Sequence, residues 1–155
     1  MFSMTDTVTT LEPLLALEQK EAAIFVAILE KETDILVSGV DPEALADVIQ
    51  EKWYRANALN TLHIERHALL NKLDPTITMD ELATTSPSIR EAWLTLKPLL
   101  ELARERNTSN GMLIEQLKKN TEDAMLILRA ASGQSSVYTS KGRSTGITSR
   151  ILATT

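Results

Sequence analysis

The sequence predicts an all-α protein, an elongated antiparallel bundle of four main helices and one short helix over residues 1–132, followed by a flexible Gly/Ser/Thr-rich tail over 133–155. Three observations predict it. Apolar residues recur at three- and four-residue spacing through long stretches, prolines and glycines stand at the ends of those stretches, and no apolar/polar alternation is long enough for a sheet. A chain of 155 residues fits one domain, since single cores occupy roughly 100–200 residues.

The first helix is expected from Thr10 as N-cap, with Pro13 in its first turn. Two adjacent rows, Leu15, Ala22, Leu29, Leu36 and Leu14, Ile28, Ile35, form its apolar face with Leu11, Leu17, Ile24 and Phe25. Gly39 marks its end, and Asp41-Pro42 is an N-cap and first-turn pair for a second helix. That helix keeps a seam of Leu45, Ile49, Ala56, Leu59, Leu70 and Leu73, interrupted by Lys52, His63 and Arg66, until Asp74-Pro75.

Thr78 and Glu81 have capping-box spacing for a short helical turn through Ala83. Ser86-Pro87 opens a third main helix with Ile89, Trp93, Leu96, Leu100 and Ala103 on one face, and Pro98 predicts a kink in it. Asn107 to Gly111 reads as a break. A fourth helix then carries Ile114, Leu117, Thr121, Ala124, Leu128 and Ala131 as a coiled-coil seam. From Ser132 onward the composition turns to Gly, Ser and Thr, with too few apolar residues to offset an ordering entropy of roughly 1–2 kcal/mol per residue.

Composition excludes several chemistries. Without cysteine there are no disulfides, thiolate metal sites or thiol nucleophiles. The net charge is −5; Lys141, Arg143 and Arg150 are the only charged residues after 132, which leaves the preceding residues at −8, a balance that does not attract nucleic acid. The longest apolar run, Ala22 to Leu29, is too short for membrane insertion, and Met1 to Asp6 lacks the basic start of a secretory signal, so a cytoplasmic protein is expected.

His63 and His67 stand at i and i+4, a spacing able to place two imidazoles on one metal. The surrounding residues do not follow: Ile64 replaces the glutamate of zinc proteases, and no glutamate lies three residues before either histidine as in di-iron bundles. A surface or seam position explains both histidines more simply. A histidine phosphotransfer or signalling helical-bundle module is a second reading, although Ala68, Leu69, Leu70 and Asn71 follow His67 where such modules place Lys and Gly. A coiled-coil scaffold is a third. No serine or threonine sits in a nucleophile elbow, so neither an enzyme nor a cofactor is expected.

Interaction surface remains. The last predicted helix joins a stripe of aliphatic residues to flexible Met112 and Met125, directly before a basic extension. Asn107, Asn110-Gly111 and Leu113-Ile114, then a helix, then Tyr138 with Gly142-Arg143, resemble the carboxy-terminal signature of the FlgN family of flagellar export chaperones. Leu29 to Leu36 with Glu32, then Leu59, Leu62, Glu65, Arg66 and Leu70, match the spacing of that family's first two helices.

The resemblance implies a cytoplasmic chaperone that binds disordered terminal segments of flagellar hook-associated (hook-filament junction) proteins. It would deliver them to the flagellar type III export gate and associated export components. The implied cargo-binding residues are Leu113, Ile114, Leu117, Thr121, Ala124, Met125 and Leu128, and the implied export-gate contact is Tyr138 with Gly142 and Arg143. Oligomeric state is left open, a homo-oligomer included.

Overall fold

The computed structural model describes the backbone of residues 3–143 and the side chains of residues 3–133. The backbone is helical throughout apart from short connections: α1 (Met4–Val37), α2 (Pro42–Leu73), the short α3 (Met79–Thr85) and α4 (Pro87–Arg143). The chain divides into two compact units, Met1–Gly111 and Met112–Thr155. Among the described residues, three long helices and one short helix replace the expected four and one. The segment Asn107 to Gly111 does not break the chain, and Pro98 lies inside the same continuous helix.

Helix ends follow local chemistry. Ser3 caps α1 by accepting from the Thr5 N–H, seven residues before the expected Thr10 start. The earlier start is explained by packing: Thr7 and Leu11 are fully buried, and their burial fixes two turns that propensity alone leaves undecided. Thr9 and Thr10 return their hydroxyls to the carbonyls of Thr5 and Asp6 at 2.9 Å and act as helix interior, not caps. Gly39 ends the helix at φ 103°, a left-handed value that side chains resist. Asp41 Oδ1 accepts from the Glu43 N–H with Pro42 in the first turn of α2, and Thr78 and Glu81 complete a reciprocal capping box at α3.

In the unit Met1–Gly111, cross-helix pairs fix direction. Glu18 meets Arg66 and Glu32 meets Lys52, so α1 and α2 are antiparallel. Glu12 meets Ser88, Glu30 meets Arg106 and Thr33 meets Asn110, so this part of α4 runs parallel to α1 and completes an up-down-up bundle. Leu11, Leu15, Ala22, Ile89 and Leu96 fill its main core, and α3 adds Met79, Leu82 and Ala83. Phe25, Val26, Leu29 and Ala103 form a second cluster.

In the unit Met1–Gly111 two expected core residues lie outside. Leu17 is exposed on α1, and on α2 the buried position is Val48, not Ile49. Val48 shares the inward arc with Lys52, Leu59, Arg66 and Leu70, each four or seven residues from the next, and Ile49 is turned by one residue away from it.

Candidate binding surface and its support

The polar interruptions of the second helix are the bundle's internal connectors. Arg66 donates from Nε and Nη2 to the two carboxylate oxygens of Glu18 at 2.7 and 3.0 Å, a bidentate pair with both side chains out of water. Its guanidinium also lies 5.2 Å from the Trp93 ring centroid, and Trp93 Nε1 donates to Asp80 at 2.7 Å. One arginine thereby joins α1, α2, α4 and, through Trp93, α3.

Near the other end, Lys52 Nζ donates to both oxygens of buried Glu32 at 3.1 and 3.2 Å. Asn110, also buried, donates to the Leu29 carbonyl at 2.9 Å and to Glu32 at 2.8 Å, and accepts from Thr33 at 2.7 Å. Every polar atom of that amide has a partner, which keeps the residue in the helix where sequence propensity places a turn.

His63 Nδ1 accepts from Arg66 Nη2 at 2.9 Å, and the His63 and His67 ring centroids are 5.4 Å apart. Among the described residues no three His, Cys, Asp or Glu side chains converge as a metal site would require. Burial holds the His63 imidazole below its usual range; the Arg66 charge and His67 add to this, and Glu18 opposes it. A histidine with a lowered folded pKa stabilises the fold above its unfolded value of 6.5 and loses that contribution as pH falls through the folded value. The urea midpoint should therefore drop as pH is lowered from about 7.5 to below 6, and His63→Gln should flatten that part of the curve.

The implied cargo residues lie on α4 in the unit Met112–Thr155. Leu113, Ile114 and Leu117 are half-buried; Thr121, Ala124, Met125 and Leu128 are exposed, as is every residue from Lys118 to Gly133. Thr121 returns its hydroxyl to the Leu117 carbonyl at 2.9 Å, so it does not compete for hydrogen bonds on the stripe. Met112, Leu126 at 61 % exposure and Ile127 at 69 % enlarge the surface beyond the heptad seam. The seam overlooked Leu126 and Ile127 because it credits one helix face, whereas Ala124 to Leu128 are five apolar residues in succession and so occupy most of the circumference. Uninterrupted exposed apolar runs of this kind mark interaction sites in proteins that remain folded. Tyr138, Gly142 and Arg143 belong to the backbone of α4, and their side chains lie outside the described residues.

A family model described as FlgN protein matches residues 1–146. The chain belongs to the FlgN family. Neither a curated protein nor a solved structure matches it. FlgN membership gives the chain the role of a flagellar export chaperone and of a binding partner for flagellar proteins, in a family of chaperones and not of enzymes. Among the described residues no helix is long and apolar enough to cross a membrane. The resemblance carried by Asn110-Gly111 and Leu113-Ile114 has a physical content in this FlgN chain. Asn110 is the buried anchor on α1, and the apolar residues that open the second unit follow it at once.

Proposed function

We propose that this FlgN-family chain works in the cytoplasm and holds disordered terminal segments of flagellar hook-associated (hook-filament junction) proteins against α4. The contacting residues are Leu113, Ile114, Leu117, Thr121, Ala124, Met125 and Leu128, to which the exposed Leu126 and Ile127 are added. It then delivers the client to the flagellar type III export gate through Tyr138, Gly142 and Arg143. The observation that carries this reading is the uninterrupted exposed apolar run Ala124 to Leu128. A client helix laid on it buries its own apolar face, and the cost of ordering that client limits affinity so that release stays available. The reading requires neither nucleotide nor cofactor.

A pull-down from a motile bacterial lysate tests it, with the full chain compared with one lacking residues 112–155. Hook-associated proteins should be retained by the full chain alone. Equal retention by both would reject the assigned surface.

A further inference from the structure

The face of α4 that holds α3 continues beyond Trp93 and Lys97. Trp93 Nε1 and Lys97 Nζ both donate to Asp80 Oδ1 of α3, at 2.7 and 3.0 Å. Seven residues on, close to two helical turns, Leu100 and Arg104 repeat that pattern of an apolar ring or chain followed after four residues by a cation. No acid meets the second pair. Arg104 is exposed and makes no ion pair or hydrogen bond among the described residues.

Leu100 and Arg104 instead line a groove of about 390 Å³ between α2 and α4, floored by Phe25, Leu59 and Ala103 and rimmed by Asn60, His63 and Asn107. The Glu18 carboxylate also reaches it, but both its oxygens accept from Arg66, and His63 Nδ1 is occupied by the same guanidinium. Arg104 is therefore the uncompensated charge of the lining. Glu101 and Glu105, on either side of it in sequence, form no ion pair with it and do not line the groove. On α2 every acid, Glu43, Asp47, Glu51 and Glu65, lies about 100° or more round the helix from Asn60 at 3.6 residues per turn, so the facing rim adds no negative charge.

We propose that this groove binds an acidic amphipathic helix of another protein, seated on α4 beside α3. The occupant's chemistry is the one α3 already shows on the same face, where Asp80 stands between buried Met79 and Leu82. An apolar side chain enters between Leu59 and Leu100, and a carboxylate takes Arg104 as Asp80 takes Lys97. Asn60 and Asn107, whose amides make no hydrogen bond among the described residues, meet the polar edge of that helix. Residues 144–155 contain no acidic side chain, so the chain's own end does not supply it. The groove belongs to the unit Met1–Gly111 and the proposed client surface to Met112–Thr155, so each reading can fail alone.

The test uses a labelled synthetic helix of about 20 residues with a leucine stripe and glutamates along one edge, beside its twin carrying lysines at the glutamate positions. Fluorescence polarisation with the full chain should show the glutamate peptide binding at least about tenfold more tightly. Arg104→Glu should reverse the preference, a gain for the lysine peptide that misfolding does not produce. Asn60→Glu, which sets an acid on the opposite rim, should weaken the glutamate peptide at least about tenfold.

Equal affinity for the two peptides, or binding of neither, would overturn the proposal, as would a preference for glutamate that survives Arg104→Glu. Binding lost on Ile127→Asp with Leu128→Asp but retained in Asn60→Glu would overturn it by placing the peptide on the other unit. Sedimentation showing a dimer that Arg104→Glu dissociates would overturn it in favour of a second copy of this chain.

Discussion

Arg66→Ala is expected to remove about 3–5 kcal/mol of unfolding free energy, the cost of breaking a buried ion pair by deleting one partner. The substitution leaves the Glu18 carboxylate fully buried without its cation, and it takes a donor from His63 and the cation from the face of Trp93. Urea unfolding followed by circular dichroism should show a large fall in midpoint with little change in slope. A fall of less than about 1 kcal/mol would place the pair among solvent-screened surface bridges and contradict its burial. Glu18→Leu combined with Arg66→Met should recover most of the loss, because an apolar pair of similar volume carries no desolvation penalty. The arginine thus contributes mainly orientation: a planar fork accepts one arrangement of α1 against α2, whereas leucines tolerate several.

The same residue shows where the sequence could be read and where it could not. Signals confined to a few neighbouring residues were legible: Gly39 as a stop, Asp41-Pro42 as a start, Thr78 with Glu81 as a capping box and Ser86-Pro87 as the opening of α4 all appear as expected. Each encodes a hydrogen bond or a φ angle that the local chain satisfies alone. Features settled by a distant partner were not legible. Lys52 and Arg66 looked like defects in an apolar seam until α1 supplied Glu32 and Glu18.

Asn107 to Gly111 looked like a turn because Asn and Gly weaken helices by up to about 1 kcal/mol each. Three hydrogen bonds, two donated by Asn110 and one accepted, tie it to residues about 80 positions away and outweigh that preference. The stripe of α4 was legible from spacing alone as far as Leu128. Its extension to Leu126 and Ile127 required knowing that both are exposed among the described residues, and exposure is not a property of sequence.

On the proposed function, Ile127→Asp with Leu128→Asp should reduce affinity for a purified hook-associated protein on the order of a hundredfold, a loss of about 2.8 kcal/mol by calorimetry. Both side chains are largely exposed, 69 % and 63 %, so the pair should leave the unfolding midpoint of the unit Met1–Gly111 nearly where it was; surface changes of this kind fall within about 0.5 kcal/mol. Separating the two readouts is what gives the experiment its force. A stripe that only completed a fold would lose stability and binding together, while a stripe kept for a guest chain loses binding alone. Thr121→Val supplies the opposite perturbation. Its hydroxyl is already spent on the Leu117 carbonyl, so adding a methyl enlarges the apolar surface without orphaning a polar group. Tighter client binding in Thr121→Val, set beside the loss in the aspartate pair, would show affinity following exposed apolar area on α4. It would also explain a threonine in the middle of the seam: a chaperone has to let go, and a slightly weaker stripe favours release over retention.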